Sequence, residues 1–454
     1  MAEKTLVLIA VLATSFVVPF MGSAINLAVP AMGVTFDVNP ASLSWVVSAY
    51  ILASVAVLLP MGRIADLKGR KKIYTLGVFL MAVFTCLCSF AWSVDSLIFF
   101  RIGQGLASSM LFSTGMAMII SVHDKKERGK VIGLSAASTY IGLSLGPMLG
   151  GFITHYFDWR SIFYLTGIIL LGISLPAIKQ VKMEWCEAKG ARFDWRGSLY
   201  YLIASPAILY GLSALFSNSL AKYCLVVGLI FLMVFIRHQK QCTMPIFDVN
   251  LFRGNTIFAM SNLAAMINYS ATFAIGFVLS LYLQLIRGLD SYHAGLILLI
   301  QPVLMALFSP MAGSLSDRIE PRIVATIGMS LNAIGLIAFI FLQTDTPYRL
   351  LCIVFAIIGV GFALFSSPNN NAIMGAVRSE YYGVAASALS CMRLAGQAIS
   401  MAIVTAVFSM YTLDVGNLDY LPHLLSGTKI AFAIFAGLCT LGVGASLARG
   451  NQQE

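Results

Sequence analysis

Charge is scarce in this sequence: Asp, Glu, Lys and Arg make up only 11% of its 454 residues, against about 25% in soluble globular chains. With 59% of residues hydrophobic, a soluble fold of this length could not hide its apolar surface, so lipid must be the solvent for much of the chain. Acidic residues are missing from the middle of every long apolar run, which removes the usual intramembrane titrating group. No Walker-type loop occurs, which argues against direct ATP drive. The cysteines form no Cys-x-x-Cys pair: Cys86, Cys88, Cys224, Cys352, Cys391 and Cys439 sit inside apolar runs, and Cys186 and Cys242 lie between them. Buried, unreactive thiols are the expectation. No histidine stands in mid-span, so an intramembrane hydrolase lacks its acid–base group. The longest segment between spans, about 179–197, is too short for a soluble signalling domain. The sequence therefore does not read as an enzyme or a sensor, and no cofactor or metal is expected.

What is present is a series of apolar runs near the length of about 20 residues that a spanning helix needs. Candidate spans fall near 5–30, 42–62, 73–93, 96–121, 130–155, 161–178, 198–215, 220–236, 256–286, 292–314, 322–342, 350–375, 383–410 and 426–448. The first run is too long for the apolar region of a signal peptide and reads as an uncleaved span. Fourteen spans place both termini on one side. The net charge of +10 does not point to nucleic acid, because the basic residues cluster between the apolar runs. Loops on the terminal side hold 22 of the 29 Lys and Arg and opposite loops 5, with Arg101 and Arg393 left inside spans. The positive-inside rule then puts both termini in the cytoplasm. Trp45, Trp92 and Trp159 lie near the outer ends of spans, as an aromatic belt would place them.

The loop after span 2 (Gly62-Arg63-Ile64-Ala65-Asp66-Leu67-Lys68-Gly69-Arg70) and the loop after span 10 (Gly313-Ser314-Leu315-Ser316-Asp317-Arg318) both place Gly four residues before Asp. Their offset of 251 (313 minus 62) also carries the start of span 1 to the start of span 9. Two six-span halves follow, 1–180 and 251–454, with an inserted helix pair and its linkers at 181–250. Parallel halves of this kind belong to transporters, whose substrate site lies between them near the midplane.

The first of these loops resembles the signature of the major facilitator superfamily. Arg101-Ile102-Gly103-Gln104-Gly105 is similar to its R-x-x-Q-G stretch, and Gly142 to Gly151, with Gly146, Pro147 and Gly150, to the G-x-x-x-G-P-x-x-G-G stretch of exporters. Trp159-Arg160-Ser161, Phe193-Asp194-Trp195-Arg196-Gly197 and Ser367-Pro368-Asn369-Asn370 resemble the fourteen-helix drug/proton antiporter family. The resemblance implies an all-α integral membrane protein with two pseudo-symmetric six-helix bundles plus two inserted helices. It also implies a multi-pass protein of a bacterial or archaeal plasma membrane that exports small amphiphilic, drug-like molecules by alternating access, with protons as counter-ions. A monomer is expected. One departure is plain: where that family usually carries an acidic residue in span 1, Met21 stands here.

Each motif admits a bland reading and a functional one. Asp66 and Arg70 either serve topology alone or, as the resemblance implies, form a reversible latch in which a carboxylate meets a helix N-terminus at about 1 kcal/mol; Gly62 and Gly69 would let backbones approach, and Asp317 would be the second latch. Gly146, Pro147 and Gly150 give span 5 a small-residue face, for close packing alone or for bending at a gate. Arg393 lies about 10 residues into span 13, or ~15 Å, near the middle of the bilayer, where an arginine must face the bundle interior. Arg101, nearer a span end, either does the same or snorkels outward. With these arginines, Asn26, Gln104, Asn268, Gln301, Asn369 and Gln397 outline a candidate substrate cavity. Individually each is more often an interhelical hydrogen bond. The unopposed arginines also leave open an anionic or lipid-like substrate.

Overall fold

The computed structural model describes residues 3–123, 128–186, 192–216, 218–316, 318–377, 382–412 and 420–450. Its helices are α1 (Glu3–Phe36), α2 (Pro40–Lys68), α3 (Arg70–Ser89), α4 (Val94–Val122), α5 (Arg128–Tyr156), α6 (Arg160–Lys179), α7 (Trp195–Ser213) and α8 (Leu220–Gln241). They continue as α9 (Thr256–Ile286), α10 (Ser291–Ser316), α11 (Pro321–Ile340), α12 (Tyr348–Gly375), α13 (Tyr382–Thr412) and α14 (Tyr420–Leu447). Among the described residues, 13 helices are long and apolar enough to cross a membrane. The stretch expected as the seventh span forms helix α7, which is not among those 13 and packs along α8. The fold is an all-helical integral membrane architecture. Large apolar side chains stand exposed around its periphery, among them Phe79, Ile168, Tyr223, Met233, Ile337 and Leu441, as lipid rather than water would require.

Polar punctuation sets the helix ends. Asn39 caps α2 by accepting from the Ser42 amide at 2.9 Å, with Pro40 next in line. Ser93 and Ser96 form a reciprocal capping box at α4, and Asn255 caps α9 through the Phe258 amide. Each satisfies a donor that the first helical turn leaves orphaned. The break in α9 has a partner too. The helix is interrupted at Phe273–Ala274, where the Ala274 N–H donates to Ser400 Oγ of α13 at 3.1 Å, and it closes on a π-helical turn at Tyr282–Ile286. Broken helices at depth are tolerated where neighbouring groups re-satisfy the backbone.

In the first six helices α1 packs on α5 and α4, α2 on α4, and α3 on α4 and α6. In the last six, α9 packs on α13, α14 and α12, α11 on α12 and α14, and α10 on α12. The two groups meet through α2–α13, α5–α10 and α1–α9. The inserted pair is anchored through α7, whose Tyr201 hydroxyl donates to the Val55 carbonyl of α2 at 2.8 Å and lies 4.0 Å from Cys391 Sγ of α13. The eight cysteines are all free. Trp159 corrects the aromatic-belt reading: it is 1% exposed, packs between Phe36 and Phe163, and its indole donates to Thr35 Oγ1 at 3.2 Å. Proximity to a span end does not make a ring face lipid.

Asp194 holds the inserted pair together at its linker end. Its Oδ1 accepts from the Gly197 amide (2.8 Å) and faces His238 Nε2 (2.9 Å), while Oδ2 accepts from Gln239 Nε2 (2.7 Å). Burial alone would raise this carboxyl, but those donors together hold it below its ordinary value. Asp194→Ala is expected to cost about 1–2 kcal/mol, the worth of an N-cap, read as a lowered melting temperature. Because the folded carboxyl binds its proton more weakly than the unfolded one, its contribution is present above the usual carboxylate range, near pH ~3.9. It is lost as pH falls through the lowered value. Asp194→Asn, which keeps an acceptor for Gly197, should lose that acid-limb dependence, and an unchanged acid limb would refute the assignment.

Candidate functional site

The site grows from one close approach. A Cβ on Gly396 of α13 would collide with the Met266 carbonyl of α9 and lie 2.9 Å from Tyr269 Cβ, so only glycine lets α13 lie this near α9. Arg393, one turn earlier, therefore reaches over Tyr269, its guanidinium carbon 5.0 Å from the ring centroid. Tyr269 is buried and meets Phe362 of α12 edge to face, centroids 5.4 Å apart at 85°. Met305 of α10 completes a buried cluster with them, and Tyr140 of α5 packs against it from the other group of helices. Ser366 and Arg393 stand beside the Tyr269 hydroxyl. Arg393 is half-buried and makes no ion pair or carbonyl hydrogen bond among the described residues.

Other expected cavity residues divide around this cluster. Gln397 is half-buried on the Arg393 face of α13, and Gln301 is half-buried on the Met305 face of α10; in both pairs the i, i+4 spacing aligns the side chains. Asn369 is 1% exposed with its Oδ1 unpartnered, and it shares a face of α12 with Phe362 and Ser366. Asn268 turns the other way. It is fully buried and accepts from Asn332 Nδ2 of α11 at 3.0 Å. Asn26 is half-buried against α9, its Nδ2 lying 3.0 Å from where a Gly276 Cβ would stand.

Arg101 and Gln104 lie inside the first six helices and not at the cluster. Arg101 is 1% exposed and does not snorkel. Its Nε donates to the Val46 carbonyl at 2.9 Å, Nη1 donates to Gln104 Oε1 at 2.6 Å, and the guanidinium covers the Tyr50 ring at 4.3 Å. Gln104 in turn donates to Thr85 Oγ1 at 2.7 Å and faces Met21 Sδ at 3.5 Å. The R-x-x-Q-G stretch thus ties α4 to α1, α2 and α3 by a chain of polar contacts.

The seam between the two groups is drawn tight at the end away from the termini. A Cβ on Gly151 of α5 would collide with the Ser291 carbonyl of α10, and one on Gly295 of α10 with the Pro147 carbonyl of α5. Ser280 and Gln284 of α9 donate to the Asn26 and Leu27 carbonyls of α1. Ser44 and Ser48 of α2 meet Thr405 Oγ1 of α13 at 2.9 and 3.2 Å. Gly146 and Gly150 instead seat α5 on Ser23 and Ala24 of α1, within one group. Toward the other end, Gly133, Leu134, Ala136 and Ala137 of α5 are exposed.

At the terminal end Asp66 Oδ1 pairs with Arg70 Nε and Nη2, each at 2.9 Å. Gly69 takes φ +114°, and a Cβ there would lie 2.5 Å from the Glu184 carboxylate, which accepts from the Lys71 amide. Gly62 does not mark a close approach: its Cβ would sit at an ordinary 3.5 Å from Ser113. Asp317 lies outside the described residues. Tyr140, Tyr269, Met305, Phe362 and Ser366 escaped sequence reasoning, because aromatic and sulfur side chains in apolar runs look like packing. The polar run Asn268-Tyr269-Ser270 was the available signal.

The sequence model for "Major Facilitator Superfamily" matches residues 11–251 and 261–451. The riboflavin transporter RibZ of Clostridioides difficile (strain 630) is 31% identical over 450 residues, covering 98% of this chain and 97% of its own. The multidrug resistance protein Stp of Mycobacterium tuberculosis (strain ATCC 25618 / H37Rv) is 28% identical over 414 residues, 88% of this chain and 74% of its own. Among solved structures, a mutant of the nucleoside transporter NupG superposes with a TM-score of 0.66 at 15% identity, covering 98% of this chain and 99% of its own. A bacterial homologue of the human lysosomal transporter Spinster, inward-facing and occupied, gives 0.65 at 15% identity, covering 99% and 97%. At that identity the likeness is one of fold.

Proposed function

The chain belongs to the Major Facilitator Superfamily, and from that premise we propose that it exports small amphiphilic molecules by alternating access through the Arg393 site. It is a multi-pass membrane transporter and not an enzyme. The observation that carries the proposal is the makeup of the site: Tyr140 comes from the first six helices, and Tyr269, Met305, Phe362 and Arg393 from the last six. A molecule bound there touches both groups, so its binding can be felt by the seam between them. Residues 1–180 and 251–454 are the two rocking halves, and 181–250 the inserted pair. With the basic loops on the cytoplasmic side, this reading has both termini in the cytoplasm of a bacterial or archaeal cell. The conformation described, tight at the end away from the termini, is then the inward-facing one of a monomeric carrier. The relatives' names support riboflavin-like and drug-like cargo.

Protons are the counter-ion the resemblance favours. Carboxylates such as Asp37 and Asp95 stand at helix ends rather than at mid-depth, so coupling would act through the seam and not at the cargo. Arg393, without a carboxylate partner among the described residues, favours a second reading in which the cargo is anionic. Purified protein in liposomes is expected to move riboflavin at least tenfold faster than empty liposomes. The imposed pH gradient, with voltage clamped, is expected to drive it. Drive by voltage alone would remove electroneutral proton exchange. Flux of neither riboflavin nor ethidium above the empty-liposome rate would overturn the export reading.

A further inference from the structure

We propose that the Arg393 site is a clamp for a flat aromatic molecule with a hydrogen-bond-accepting or anionic edge, an inference that rests on the transport reading and narrows its cargo. The guanidinium of Arg393 is a rigid planar fork of five donors. Among the described residues it is engaged only by the Tyr269 ring and hydroxyl. A cation held this deep is costly until acceptors or a negative charge reach it, and among the described residues only the Tyr269 hydroxyl does so. The missing half of the interaction is therefore a ligand edge, and carboxylates, ring carbonyls and phenolates fit a planar fork best.

The shape of the ligand follows from the surrounding rings. Tyr269 is fixed edge to face by Phe362, Tyr140 packs against the cluster from the other group of helices, and Met305 fills in with a soft sulfur. Aromatic faces with sulfur beside them favour flat rings over compact aliphatic bodies. A flat molecule that parted Tyr140 from the Tyr269 cluster would touch both groups of helices at once while its edge meets Arg393. Amide N–H donors around the rim match such an edge: Gln301 and Gln397 are half-buried on the adjoining faces. A flat cation would keep the stacking but meet the repulsion of Arg393, which a low dielectric strengthens. A bulky anion would satisfy Arg393 but not the rings.

The test is fluorescence binding to the purified protein in nanodiscs. Four probes separate shape from charge: lumichrome (flat, uncharged, with ring carbonyls), fluorescein (flat, anionic), ethidium (flat, cationic) and taurocholate (bulky, anionic). Lumichrome and fluorescein should bind and displace each other, while ethidium and taurocholate displace neither at a hundredfold excess. Arg393→Ala and Tyr269→Leu should each weaken both at least tenfold. Arg393→Lys, which keeps the charge but loses the fork, should weaken fluorescein less than lumichrome. Tyr269→Phe, which keeps the ring, should bind both as the wild type does. The two conservative variants guard against a misfolded alanine or leucine variant, and all are checked by gel filtration. The clamp is overturned if taurocholate competes as well as fluorescein, if ethidium binds more tightly than fluorescein, or if neither flat probe binds. It is equally overturned if Arg393→Ala leaves affinities unchanged. Flux distinguishes this failure from failure of the export reading. Ethidium flux that Arg393→Ala does not alter removes the clamp and leaves export, whereas tight lumichrome binding without flux supports the clamp and removes export.

Discussion

Replacing Gly151 by leucine is expected to abolish transport, with flux at least a hundredfold below wild type, in a protein that still folds. The glycine stands where α5 meets α10, and any Cβ there runs into the Ser291 carbonyl. The obstacle is backbone and cannot swing aside as a flexible side chain would. The contact across the seam must therefore open. Folding survives because α5 is held to its own group by other glycines: Gly142 fits against Phe16, Gly146 against Ser23 and Gly150 against Ala24 of α1. A wedge at a seam that must separate in any rocking cycle shifts the balance between two packed arrangements without dismantling either. A single cysteine at Ser44, beside Thr405 in the closed seam, should label faster with a membrane-impermeant maleimide in the Gly151→Leu variant. Wild-type flux, or unchanged labelling, would show that this seam does not open.

Gly105→Leu should fail differently. Its Cβ would strike the Tyr50 carbonyl and lie 2.7 Å from Ala53 Cβ, at the contact between α2 and α4 inside one group. Beside it the Ser54 hydroxyl reaches both the Gly105 carbonyl (3.1 Å) and Ser108 Oγ (2.6 Å). Rocking does not need this interface to part, so the molecule has no alternative arrangement that relieves the clash. Overpacking costs about 1–3 kcal/mol and occasionally more, and each displaced hydrogen bond adds about 1 kcal/mol. The expected result is a fall in melting temperature large enough that little monodisperse protein is recovered. Gly62→Ala makes the control, because a methyl there finds ordinary contact at 3.5 Å and should stay within about 0.5 kcal/mol of wild type. Normal stability for Gly105→Leu would mean that α2 and α4 are less closely packed than described.

The two glycines sit in neighbouring motifs and look alike in sequence. What separates them is whether the surface they touch belongs to their own group or to the other one. The same holds for the two intramembrane arginines. Mid-span depth was enough to place Arg393 in the interior, because hydrocarbon leaves an arginine no other stable position. It was not enough to choose between interior networks. Arg101 closes a chain through Gln104 to Thr85 among four neighbouring helices, whereas Arg393 ends at Tyr269 on the seam side. The asparagines divide by neighbour: Asn268 Oδ1 accepts from Asn332 on α11, while Asn369 shares a face of α12 with Phe362 and Ser366. A polar side chain in an apolar run announces that it needs a partner. It does not say on which helix the partner lies.

By itself the sequence determined the solvent, the helices and the family-level architecture. Those depend on run length, loop charge and local motifs, which act over a turn or two of helix or through the one-dimensional alternation of apolar and basic segments. The tertiary structure alone decided that Tyr140 and Tyr269, 129 residues apart (269 minus 140), share one cluster. It also decided that Gly396 sets the distance at which Arg393 meets its ring. Helix faces and crossing distances are settled by side chains from several segments packing at once, and no single segment carries that information.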